Sequence, residues 1–199
     1  PVLITAAPDG SPSNEPSVNG GMDWEGSYVI FASKASNLVA GDSNVAYDLF
    51  VRETCYAVQG ACTPTTRRIL MAADGSQSNG DSGWTVTNPE NSLAVSFNAR
   101  YVAFVSSASN LVAGDTNGAD DVFLQDTCIG ARTACTPTMV RASVRADGSQ
   151  SPLPVSYPSV ADDGRYVVFV SGDSSMAAGD SNGVPDVFVR DTCLNAGTS

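Results

Sequence analysis

The sequence predicts an all-β protein built from three tandem copies of one four-stranded antiparallel unit. One loop is written three times: SNLVAGDSN from Ser36 to Asn44, SNLVAGDTN from Ser109 to Asn117, and SSMAAGDSN from Ser174 to Asn182. One strand recurs with it, as SYVIFAS, RYVAFVS and RYVVFVS around Tyr28, Tyr101 and Tyr166. The composition agrees: 18 glycines and 11 prolines in 199 residues interrupt every window long enough for a helix, while 42% hydrophobic residues suffice for a core.

The spacing is strict. Asp48, Asp121 and Asp186 each stand 20 residues after their tyrosine, and Cys55, Cys128 and Cys193 stand 27 after it. Upstream, Asp9 and Asp147 precede their tyrosines by 19 residues, whereas Asp74 precedes Tyr101 by 27. The second copy therefore carries an eight-residue insertion, placed within Asn79–Glu90. The copies divide the chain at 1–71, 72–144 and 145–199.

Each copy reads as strands in a fixed order. The first is short, around Met22–Trp24, Ala94–Phe97 and Ser159–Ala161. A tight turn follows, in which Gly26 and Gly164 suit positive φ. The Tyr-Val-x-Phe-x-Ser segment is the second strand, marked by β-branched and aromatic alternation. DLFVRET, DVFLQDT and DVFVRDT make the third, and TTRRILM and TMVRASV the fourth. In repeat phase PVLITAAPDG aligns with MVRASVRADG, Met139–Gly148. Residues 1–7 are thus expected to complete another blade through a strand over Val2–Thr5, and the third repeat lacks its outermost strand. Four strands connected up and down make a propeller blade, and three blades are too few to close a ring. The repeats are expected to be part of a larger or oligomeric propeller or array. Tight hairpins and paired cysteines fit a solenoid poorly.

Cys55 and Cys62, like Cys128 and Cys135, form C-x6-C pairs in matching contexts, TCYAVQGACTPT and TCIGARTACTPT. Zinc knuckles are tighter, so each pair is expected to be a local disulfide stapling a hairpin loop. Cys193 opens a third such loop. Disulfides imply an oxidising compartment: extracellular, cell-surface or periplasmic.

Net charge is −11, which opposes binding to phosphate backbones, so nucleic acid is not expected as a partner. No apolar run approaches the roughly 20 residues of a membrane span. The chain has no histidine, which excludes Ser-His-Asp and Cys-His catalysis within it.

DGRYVVFVS followed by GDSNGVPDVFVRD resembles the TolB-type, WD-like β-propeller repeat, and the resemblance covers all three copies. It implies blades, and a role as a binding or scaffolding platform or as an accessory domain of a peptidase. The loop between the second and third strands is longer than in simple blades of that family, and the cysteine loop is extra.

GDSNVAYD, GDTNGADD and GDSNGVPD place oxygen-bearing side chains at alternate positions: Asp42, Asn44, Asp48; Asp115, Asn117, Asp121; Asp180, Asn182, Asp186. Such sets suit Ca²⁺, which takes six to eight oxygens. Asx turns explain the same residues without an ion. Val45 replaces the glycine found at Gly118 and Gly183, which makes copy one the weakest calcium candidate. Leu38 and Leu111 are expected to pin the loops by burial, with Met176 a weaker substitute. Asp162 and Asp163 read as solvated turn residues. Trp24 reads as core, and Trp84, in the insertion, is a contact candidate if the inserted loop leaves it exposed.

The expected function is a non-catalytic extracellular scaffold for binding, adhesion or head-to-tail assembly, with copies of itself or further repeats of the same parent chain joining by strand addition. The alternative is the propeller portion of a larger secreted enzyme such as a peptidase or lyase.

Overall fold

The computed structural model describes residues 1–72 and 74–194. Its strands are β1 (Ser17–Met22), β2 (Tyr28–Ser33), β3 (Asp48–Glu53), β4 (Thr65–Arg68), β5 (Leu93–Val95), β6 (Tyr101–Ser106), β7 (Asp121–Asp126), β8 (Thr138–Arg141), β9 (Val155–Val160), β10 (Tyr166–Ser171) and β11 (Asp186–Asp191). They form three antiparallel sheets: β1-β2-β3-β4, β5-β6-β7-β8 and β9-β10-β11. There is no helix among the described residues. The all-β expectation, with one sheet per repeat, holds.

The second and third strands pair in one register in every blade, because the same alternation is written in each. Phe31 faces Phe50, Phe104 faces Phe123, and Phe169 faces Phe188. Leu38, Leu111 and Met176 lie buried in the same clusters as these pairs, so the repeated loops are pinned as expected, Met176 included. One apolar cluster joins blades one and two through Ile30, Leu49, Val51, Val102 and Phe104. A second joins blades two and three through Tyr101, Val105, Val122, Leu124, Val167 and Phe169.

Two strand expectations change. In blades one and three the first strand begins earlier than predicted, at Ser17 and Val155. SVNGGM and VSYPSV lack alternation, and each pairs through a register shift, at Val18/Gly21 in blade one and at Val168/Val170 in blade three. Blade two starts late, at Leu93, because the insertion intrudes. Val2–Thr5 forms no strand. Within this chain the segment folds back on itself: Ala6 bridges Pro12, the Thr5 carbonyl accepts the Ser13 amide at 2.9 Å, and Ile4 packs on the Phe31–Phe50 cluster.

Candidate functional site: the repeated polar loops and the joints they make

The Gly-Asp-x-Asn loops connect the second strand of each blade to the third. In blade one the loop ends at Asp48, fully buried, beside Asp42, whose side chain is 4% exposed. Nη1 of Arg68, from β4, lies 3.4 Å from Asp42 Oδ1 and 3.3 Å from Asp48 Oδ2. Blade two repeats this with Arg141 of β8, whose Nη1 is 3.6 Å from Asp115 Oδ1 and 3.3 Å from Asp121 Oδ2. Burying two carboxylates is costly unless a cation neutralises them, and the fourth strand delivers one.

The two loops differ in the donors that reach the buried oxygens. Ser143 donates its hydroxyl to Asp121 Oδ1 at 2.5 Å. In blade one the matching residue is Leu70, and Asp48 Oδ1 has no hydrogen-bond partner. Burial, and next the charge of Asp42, push the Asp48 carboxyl up to about 6, with Arg68 pulling it back. Burial also raises Asp121, against the opposing bonds from Ser143 and Asn117. Asp42 Oδ1 and Asn44 Oδ1 are likewise buried without hydrogen-bond partners.

The loop asparagines reach into the following repeat. Asn44 donates Nδ2 to the carbonyl of Ser78 at 3.0 Å, and Asn117 donates to that of Ser151 at 2.8 Å. Gln77 Oε1 accepts the amides of Ser43 and Asn44, and its Nε2 donates to Gly41. Gln150 makes the same three bonds with Thr116, Asn117 and Gly114. The glutamines were not singled out in the sequence; the repeated GSQS was the available signal. In loop three Asn182 donates to Asp186 at 2.9 Å, and both carboxylate oxygens of Asp180 are buried without partners.

The insertion also acts as a joint. Ser17 and Ser82 are equivalent, each bonding the last serine of its neighbouring second strand, and Gly21 and Ala94 are equivalent by pairing, which places the extra residues between Ser82 and Ala94. Thr85 and Thr87 donate to Asp120, Asn88 donates to the carbonyl of Val155 in blade three, and Asn19 of blade one donates to those of Gly83 and Pro89. All three repeats are tied together there. Trp84 is not an exposed contact residue: it packs against Tyr47, ring centroids 4.9 Å apart, within the first cluster. Trp24 is not core but 65% exposed, stacked flat on Phe97 at 5.4 Å. The insertion folds back onto the apolar seam it interrupts, whereas Trp24 sits past the end of its strand. Asp162 is not merely solvated, since its Oδ1 accepts the amide of Phe97 at 2.8 Å.

At the opposite end, disulfides link Cys55 to Cys62 and Cys128 to Cys135, and Cys193 is free and exposed. The three loop cysteines share one backbone conformation, with φ of 67°, 60° and 59°. Asp126 lies beside Cys128 and Cys135, but the bonded sulfurs offer no thiolate to a metal.

No family model matches the chain, and no curated protein matches it. Among solved structures it is similar to TolB from Acinetobacter baumannii, over 94% of this chain and 34% of that one, at 13% identity and a TM-score of 0.42. The chain spans about a third of that protein's length.

Proposed function

We infer that the chain is a non-catalytic scaffold of propeller-type repeats, acting by binding or by assembly with further repeats. The use of the triplicated loop carries this reading. The motif that most resembles a site directs Asn44 and Asn117 onto the next repeat rather than toward a substrate. The two disulfides support an oxidising compartment, and hence an extracellular, cell-surface or periplasmic setting. The outward face of blade three supplies the contact area: Val187 and Val189 are 71% and 66% exposed, an apolar pair on an open strand. Sedimentation velocity over a range of concentrations tests this. Association that weakens when Val187 and Val189 are both replaced by aspartate is expected. A monomer at every concentration, unchanged by that replacement, contradicts it.

A calcium role for loop one is a second reading. Its support is the set of buried oxygens without hydrogen-bond partners on Asp42, Asn44 and Asp48. Three oxygens are a usable part of a Ca²⁺ shell, to be completed by carbonyls and water with Arg68 swung aside. This favours copy one over copy two, where Ser143 already serves Asp121 Oδ1. Millimolar calcium should then raise the melting temperature, and Asp42→Asn should remove the rise. A melting curve indifferent to calcium and chelator returns these loops to a structural role.

A further inference from the structure

Among the described residues, β11 has a pairing partner on one side only. Its counterparts β3 and β7 pair outward with β4 and β8, and each outer strand sets an arginine opposite a phenylalanine: Arg68 opposite Phe50, Arg141 opposite Phe123. Those arginines neutralise the loop carboxylates. In blade three the matching phenylalanine is Phe188, and the matching carboxylates are Asp186 and Asp180, the latter with both oxygens buried and unpartnered.

Two further groups stand ready at this edge. The Cys193 amide donates to Asp191 Oδ1 at 2.9 Å, as that of Cys128 donates to Asp126 at 2.9 Å. Arg165 holds Asp191 as Arg100 holds Asp126. Cys193 thus sits in the conformation its bonded counterparts adopt. Asn182 keeps the bond inside its loop but lacks the Ser and Gln contacts that Asn117 makes.

We propose that the free edge of β11 docks an antiparallel strand of the repeat's own outer kind, Cys-Thr-Pro-Thr-x-x-Arg with Gln-Ser beginning nine residues after the arginine, borne by another repeat. The arginine lies opposite Phe188 and reaches Asp180 and Asp186. The cysteine bonds Cys193, and Gln-Ser closes loop three. Charge complementarity selects this occupant over a second copy's first residues. In repeat phase those residues put Leu3 where the arginine belongs and Pro12 where the glutamine belongs, and they offer no cysteine. The inference rests on the scaffold reading and names the partner that the scaffold takes.

The test uses the whole chain and a peptide of residues 135–151, supplied as its mixed disulfide with glutathione. The Cys193 thiolate attacks the peptide sulfur. The peptide–Cys193 bond forms, the peptide–glutathione bond breaks, and glutathione leaves as a thiolate that takes up a proton, with no net oxidation. At equilibrium in a glutathione buffer, intact mass gives the adduct yield. Docking raises the effective concentration of the two sulfurs, so the native peptide should exceed both a scrambled peptide and its R141L version by about tenfold or more. All variants are in the peptide, so the fold of the chain is unaffected. Equal yields from the native, R141L and scrambled peptides overturn the proposal. So does a higher yield from residues 1–14 preceded by a cysteine, which would name a second copy as the occupant. A chain that stays monomeric yet selects the native peptide loses the scaffold reading and keeps this one; a chain that associates but does not discriminate among peptides does the reverse.

Discussion

Blades two and three are written almost identically, yet among the described residues their third strands differ in pairing and in burial. Tyr101, Val122 and Leu124 are 2%, 0% and 1% exposed, while their counterparts Tyr166, Val187 and Val189 are 42%, 71% and 66% exposed. Blade two gains these burials from blade three, its arginine from β8, its loop clamp from Gln150 and Ser151, and its disulfide from Cys135. Each of these comes from sequence that follows β7. Blade two thus draws on both neighbours, burying one face against blade one and the other against blade three, as in other arrays where neighbours supply the interface energy.

The sharpest way to break the comparison is to delete the same kind of side chain in both blades. Leu124→Ala should cost about 2–5 kcal/mol, the usual range for a buried leucine. Val189→Ala should be close to neutral in the isolated chain, because its side chain is already in water. Thermal or urea melts give both numbers, and similar losses would mean that the blade-three face is covered.

The joint between the two blades gives the next largest effect. A Cβ on Gly164 would lie 2.4 Å from the Tyr101 ring, at φ +73°. Gly164→Ala should destabilise by about 1–3 kcal/mol through overpacking. Gly26→Ala, with nothing nearer than 3.9 Å, should show only the smaller cost of positive φ. Equal losses at the two positions would remove the role assigned to Tyr101.

The loops offer a pH-dependent contrast. The Asp48 carboxyl is raised to about 6 by burial, so the folded state binds more protons than the unfolded state between about pH 4 and 6. Its contribution to stability therefore falls as pH rises through that window. In chelator, wild type should lose stability relative to Asp48→Asn from pH 4 to 6, with no further change between the two above that. A constant difference between the two melting curves across pH contradicts the assignment.

The smallest effect concerns the clamp. Gln150→Ala removes bonds at an exposed joint and should cost about 1 kcal/mol. Asn117→Ala should couple to it in a double-mutant cycle, whereas Asn182→Ala should not.

The blade unit was legible because its marks are local. The alternating Tyr-Val-x-Phe-x-Ser strand, the fixed 20- and 27-residue spacings and the C-x6-C pairs each sit within one repeat. Relations between repeats were not legible. Gln77 and Gln150 acquire meaning only when a loop more than 30 residues earlier folds onto them. Trp24 was assigned to the core, and Trp84 kept as a contact candidate, for the same reason. Chain position marks the insertion as a loop, but not that the loop turns its indole inward onto Tyr47. The first strands of blades one and three were placed a few residues too late, because neither SVNGGM nor VSYPSV carries a clean period of two.

Amide hydrogen exchange on β7 and β11 in the isolated chain tests the central contrast most directly. Protection of β7 at the level of global unfolding is expected, with fast exchange along the free edge of β11 that slows when the 135–151 peptide is bound. Equal protection of the two strands in a monomer, unchanged by the peptide, would contradict the view that the free edge of β11 is a docking site.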